Sequence, residues 1–314
     1  MIYLDYAAST PVEPAVVAAM GVAMAAPGNY ANPSSTHSEG RHSHALIAAA
    51  AGKLAALVGT TPDRLVWTSG ATESDNLAIL GAAAYRENRG RHLVSMRTEH
   101  KAVTDPFTVL AKRGFEVTWV DPEPDGRLNL NKLAGALRDD TQLVSVMHVN
   151  NETGIVQDIA GIGALCRERG ILYHVDAAQS CGKLPINLDE LPVDLMSMTA
   201  HKFYGPKGVG ALYIADRKGV HVDPQLFGGG QQRRLRPGTL PTQQIVGFGE
   251  TAALAAGRMA QDLEHLQTLR DRFWSGIRDL PGLVVNGSLE YGFPGILNDS
   301  AEGVEGVSLL LALE

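Results

Sequence analysis

Short apolar runs rich in β-branched residues recur along this chain, separated by longer stretches with apolar residues at helical spacing. The runs at 65–68, 92–96, 115–120, 143–149, 171–175, 193–198 and 209–214 predict seven strands. The stretches at 73–88, 101–113, 129–138 and 158–169 predict helices between them. Continuously apolar strands alternating with amphipathic helices predict an α/β domain with a mainly parallel seven-stranded sheet. Ahead of it, Met1 to Tyr6 reads as a short strand, 12–25 as a helix, 26–37 as a turn-rich loop and 38–58 as an alanine-rich helix. After residue 215 the alternation stops. A Gly/Pro/Arg-rich loop fills 224–240, a long helical pattern runs over 242–280, Pro281-Gly282 breaks it, and a short α+β tail reaches Glu314. The pattern predicts a large domain over 15–250 and a smaller α+β domain from 1–14 and 251–314.

In parallel sheets, ligands sit at the carboxyl ends of the strands. The polar residues follow the predicted strands there, at 68–76, 97–100, 148–152, 176–179 and 199–202. Lys202 lies just past the run Val193–Met198, where burial can lower an amine pKa and make it nucleophilic, as a Schiff base to an aldehyde cofactor requires. Asp176 closes the preceding strand, 26 residues earlier. A lysine to take an aldehyde and a carboxylate to hold a pyridine nitrogen protonated are the two demands of pyridoxal 5'-phosphate (PLP). The turn Thr68-Ser69-Gly70-Ala71-Thr72-Glu73-Ser74 joins a strand to a helix, with small residues and free amides suited to a phosphate, although alone it also reads as an ordinary N-cap. His100 offers a ring to stack on a planar cofactor or to move a proton as a catalytic residue beside Lys202, and an asparagine of His148–Glu152 or Gln179 offers a donor to a phenolate oxygen. Thr199 and His201 flank the lysine as phosphate ligands. There is no G-x-G-x-x-G and no Walker P-loop, which weakens dinucleotide and nucleoside-triphosphate readings.

Composition narrows the class. Hydrophobic residues at 45% and charged residues at 19% fit a soluble globular chain. A net charge of −7 argues against nucleic acid or an anionic membrane as partner. With two cysteines, Cys166 and Cys181, no disulfide framework or cysteine zinc site is expected. No signal-like start and no 18-residue apolar run is seen, so a cytoplasmic protein is expected.

The chain resembles the cysteine desulfurases of the NifS/IscS type, within the class V aminotransferase-related group of fold-type I PLP enzymes. The resemblance rests on Leu4-Asp5-Tyr6-Ala7-Ala8, Asn32-Pro33-Ser34-Ser35, Ser69–Asn76, Thr98-Glu99-His100, Val149–Gly154, His174–Gln179, His201-Lys202 with Tyr204–Gly208, and Gly238–Pro241, in family order from end to end. It implies that Lys202 binds the cofactor aldehyde, that Asp176 partners the pyridine nitrogen and that His100 stacks on the ring. It implies that Asn151 and Gln179 contact ring substituents, and that Ala71, Thr72, Thr199 and His201 hold the phosphate. Thr239 would reach the phosphate of a neighbouring subunit, which implies a homodimer with shared sites.

The implied reaction takes L-cysteine to L-alanine and passes the sulfur to an acceptor protein, for iron–sulfur cluster assembly or other sulfur metabolism. In the family a loop cysteine carries that sulfur and an arginine holds the substrate carboxylate. Both lie beyond the segment resembling Val304–Glu314, and neither Cys166 nor Cys181 matches the nucleophile's position. Pro237 also stands where a serine is common. Two alternatives follow: a PLP-dependent lyase acting on cysteine, selenocysteine or a related amino acid without a persulfide, and a non-catalytic PLP-binding or dimerising relative.

Overall fold

The structure is a computed structural model that describes residues 3–25 and 29–313. Seven strands form the main sheet: β1 (Leu65–Thr68), β2 (His92–Met96), β3 (Glu116–Val120), β4 (Thr141–Ser145), β5 (Leu172–Asp176), β6 (Leu195–Thr199) and β7 (Gly210–Ile214). Their order is β1-β7-β6-β5-β4-β2-β3. The inner pairs are parallel, and β7 runs antiparallel to both β6 and β1. The mainly parallel sheet expected from the apolar runs is therefore present.

Helices cover both faces, as a parallel sheet requires. On one face α2 (Ser38–Val58), α5 (Leu130–Ala136), α6 (Ile159–Glu168) and the start of α7 (Thr242–Ile277) meet Trp67, Val144, Tyr173, Met196 and Met198. On the other, α3 (Ala71–Tyr85) and α4 (Lys101–Lys112) meet Val66, Leu93, Leu143, Leu172 and Leu212. The alternation of side chains along each strand sends neighbours to opposite clusters. Caps set the helix starts: Asn129, Asp158 and His100 each accept a first-turn amide.

Most boundaries shift by a residue or a few from the sequence pattern, and two differences bear on the site. The run 143–149 predicts a strand to its end, but β4 stops at Ser145. Past it, Asn150 Oδ1 accepts from both Glu152 N and Thr153 N at 2.9 Å, and Asn150 N donates to Ile155 O at 3.0 Å. Backbone bonds to β5 continue past Ser145, from Val146 N to His174 O and from His148 N to Asp176 O, and the Asn150 turn then folds the segment back on itself. Of the predicted strand 1–6, Met1 and Ile2 lie outside the described residues, as do 26–28 of the predicted loop. Residues 3–10 are irregular and turn structure. Ala8 N and Ser9 N donate locally to Asp5 O, and the segment then joins the turn after β6 instead of a sheet: Thr10 N donates to His201 O and, just beyond, Glu13 N to Tyr204 O, both at 3.0 Å.

Helix α1 (Pro14–Ala25) and α2 both pack on α7. A Cβ at Gly249 would stand 2.6 Å from Ala50 Cα, so this crossing is close enough to need glycine. α7 is one continuous helix of 36 residues that passes through residue 250. Its buried residues fall between Thr242 and Ala252, after which it leaves the core. The tail holds β8 (Leu283–Val285) and β9 (Asp299–Ala301), an antiparallel pair, and α8 (Gly306–Leu313).

Candidate active site

A cleft of about 410 Å³ opens at the carboxyl ends of β5 and β6, against the first turn of α3. β6 is buried along its length, so Thr199 is delivered at the edge of the sheet. A single 3₁₀ turn, Ala200–Lys202, then lifts Lys202 over the cleft. Phe203 anchors that turn in the core against Phe248, with ring centroids 5.8 Å apart. Tyr204 takes a left-handed φ of 70° two residues after the lysine, a strained conformation of the kind that gathers at functional sites.

Lys202 is half-buried and its Nζ donates to Ala7 O at 2.5 Å. Burial holds its amine below the usual lysine range, and Asp176, Asp5 and Glu152 pull the other way. Asp176 ends β5, and Ala178 N donates to its Oδ1 at 2.8 Å. Burial, with Asp75 nearby, pushes the Asp176 carboxyl up to about 7.

The turn Thr68–Ser74 is the third wall. Gly70 caps α3 without any side-chain bond, so the first-turn amides face the cleft with no cap. Thr68 Oγ1 and Ser74 Oγ, 2.7 Å apart, tie the turn together from below. A Cβ at Gly210 of β7 would lie 2.6 Å from Gly70 Cα, so two backbones meet here with no room for a side chain. Ala71, Thr72 and Thr199 line this wall with His201 and Lys207. Burial, together with Lys202, Lys207 and Lys183, pushes the His201 imidazole down to about 4, so the ring is neutral near pH 7. Thr199 Oγ1 donates to Val209 O at 3.2 Å.

The remaining candidates line the opposite side. His100 faces the cleft while its Nδ1 accepts from Ala102 N at 3.0 Å, so one ring both caps α4 and borders the site. Gln179 donates through Nε2 to Ala7 O at 2.7 Å. Asn151 lines the cleft with Nδ2 donating to Glu152 at 2.7 Å, whereas Asn150 is buried in its turn. Thr239 is exposed and does not line this cleft. Sequence reasoning gave no role to Asp75, Lys207 and Lys183. Asp75 stood in the Ser69–Asn76 motif and Lys207 in the Gly205–Gly208 motif, so both were open to notice; Lys183 carried no local signal.

The sequence pattern of the family described as aminotransferase class-V matches residues 2–314. The chain belongs to that family. It is 51% identical to the cysteine desulfurase IscS of Enterobacter sp. (strain 638) and 52% identical to that of Escherichia coli O139:H28, covering all of this chain and 78% of each relative's length. Among solved structures, a NifS-like protein superposes with a TM-score of 0.94 at 36% identity, covering 99% of this chain and 85% of that one. SspA in complex with cysteine superposes at 0.86 and 36% identity, covering 100% and 87%. The likeness to cysteine desulfurases thus extends over the whole chain, in sequence and in fold.

Proposed function

We propose that this cleft binds PLP and that the protein is a cysteine desulfurase, taking L-cysteine to L-alanine and passing the sulfur to a thiol acceptor. The carrying observation is the placement of Lys202 and Asp176 on one cleft with the uncapped start of α3. The residues present fit the cofactor. An uncapped helix N-terminus with Thr72, Thr199, His201 and Lys207 beside it suits a dianionic phosphate. A carboxyl raised to about 7 by burial gains a partner when a cationic ring nitrogen sits against it. When bound, PLP supplies an aldehyde for the amine and an electron sink for the substrate's α-carbon.

The chain's own residues then divide the work. Lys202, its amine below the usual range, would take the aldehyde and move protons at the substrate carbon. Asp176 in its ionised form would keep the ring nitrogen protonated. His100 would stack on the ring, and Asn151 and Gln179 would contact its substituents. Thr239 serves the neighbouring subunit's phosphate in a homodimer, which accords with its lying outside its own chain's cleft. The large domain spans 15–250, and 1–14 with 251–314 form the smaller one.

The sulfur step balances as L-cysteine plus a thiol giving L-alanine plus a persulfide. Cys166 and Cys181 are both fully buried, and burial pushes each thiol up to about 12, far from a usable thiolate. The acceptor thiol is therefore neither of these, and an acceptor protein is its natural source. A cytoplasmic setting suits two cysteines that remain free.

The test incubates the PLP-loaded protein with L-cysteine and a dithiol, and measures alanine and sulfide against Lys202→Ala. Lys202-dependent alanine with matching sulfide is expected. Pyruvate and ammonia in place of alanine would replace the proposal with the lyase reading.

A further inference from the structure

Lys183 is a half-buried lysine with no part in the scheme above. It follows the Asp176–Gln179 segment and sits between two hollows. One is the cofactor cleft. The other is a cavity of about 400 Å³, mostly apolar, between the N-terminal segment and α7, and Lys202 borders both. The Phe293 ring lies 5.7 Å from Lys183 Nζ. Burial and the neighbouring Lys202 push the Lys183 amine down to about 7, and the Cys181 thiol acts weakly the other way. The other charged groups around that cavity are Glu13, Arg258, Asp262 and His265.

Lys183 Nζ donates to Gln179 Oε1 at 2.9 Å. The other end of the same amide, Nε2, donates to Ala7 O at 2.7 Å, beside the Lys202 bond to that carbonyl. A lysine amine at this site is a donor, and a glutamine amide has one accepting and one donating end. Lys183 therefore selects which end of Gln179 it holds, and the donating end is left on the Ala7 and Lys202 side. Gln179 is only 3% exposed, so an unpaired Oε1 would be costly and the amide would turn to satisfy it.

We propose that Lys183 is a positioning residue that locks the Gln179 amide so that Gln179 presents a hydrogen-bond donor, and not an acceptor, to the oxygen on the cofactor ring. The proposal deepens the PLP reading and rests on it. A donor to that oxygen favours the deprotonated state of the oxygen and linking-nitrogen pair whose proton sets the visible band.

The experiment loads wild type, Lys183→Met, Gln179→Ala and the double variant with PLP and titrates the visible absorption. Each single variant raises the midpoint by about one pH unit, and the double variant moves no further than Gln179→Ala alone. Lys183→Arg, which keeps a donor, keeps the wild-type midpoint. Lys183→Leu, which likewise offers no donor to Gln179, substitutes if the methionine variant fails to fold, with the same shift expected. An unchanged midpoint, or shifts that add in the double variant, overturns the proposal: the first makes Lys183 merely structural and the second makes it a remote charge. A wild-type protein that binds PLP with no visible band, or a band that survives in Lys202→Ala, instead removes the PLP reading itself.

Discussion

At the scale of single residues, the site stands on a set of buried carboxyls. Asp75 is fully buried in the second turn of α3, with His174 Nε2 3.4 Å away and Ser197 as the side chain that favours its charged form. Burial pushes Asp75 and Asp176 up to about 7 and raises Glu99 well above its usual range. Burial also pushes His148 and His174 down to about 4, as it does His201 in company with the nearby lysines. The two sets act oppositely on stability. The carboxyls hold protons in the folded state that the unfolded chain has released, so their contribution is present at low pH and lost as pH rises through about 7. The imidazoles contribute in full once pH passes the ordinary histidine value of 6.5. Above about pH 7 the Lys183 amine works the other way, because it is neutral in the folded state while an unfolded lysine holds its proton, so the carboxyl loss is read by difference. The melting temperature of cofactor-free Asp75→Asn relative to wild type should therefore rise by about 2 °C or more between about pH 5 and 8, because only wild type loses the Asp75 contribution. Parallel melting curves for the two proteins across that interval would remove Asp75 from the titrating set.

At the scale of elements, the loop before α7 closes the edge of the sheet. β1 is an edge strand, and Trp67 turns its N–H and C=O away from β7. Gln232 completes both: its Oε1 accepts from Trp67 N at 2.5 Å and its Nε2 donates to Trp67 O at 2.8 Å. One side-chain amide thus stands in for a strand that is not there, which protects an otherwise open edge. To reach it, Gln232, Arg233 and Arg234 take left-handed φ of 48°, 60° and 64° in succession. Arg236 then pairs with Glu73 at 2.8 Å, one residue past Thr72, which ties the loop carrying Thr239 to the phosphate turn. Gln232→Ala should cost about 1–3 kcal/mol, the penalty for leaving buried backbone groups unpaired. Urea unfolding would register this as a lower midpoint at unchanged slope. An unshifted midpoint would mean that water replaces the amide.

At the scale of the molecule, the two thiols are sealed in the core while the site is open. Cys166 lies in α6 against the sheet, and Cys181 lies behind the Asp176 turn. A water-soluble disulfide reagent should find no fast-reacting thiol in the native protein and two after denaturation. A fast native thiol would reopen the question of an internal sulfur carrier. Phe248, with rings 5.8 Å from both Trp67 and Phe203, ties α7 to β1 and to the lysine turn, so core packing and site geometry are one structure.

The sequence alone determined the seven strands, most helices, the cleft's edge of the sheet and the pair Lys202 and Asp176. Each of these is local: a buried strand is an apolar run, and its carboxyl end is where that run meets polar residues. The family motifs likewise lie in contiguous stretches around Lys202, Asp176 and Thr72. Tertiary structure decided the rest. Met1 to Tyr6 reads as a strand, but the described residues 3–6 are irregular and the segment is tied down by Thr10 N donating to His201 O, 191 residues away in the chain, which no local pattern encodes. Asp75 reads as the polar face of a helix until β5 and β6 close over it. Lys183 reads as a surface lysine until Gln179 and Phe293 meet it. Burial and partnership are properties of the assembled sheet and helices, and the charge states and side-chain orientations of the site follow from them.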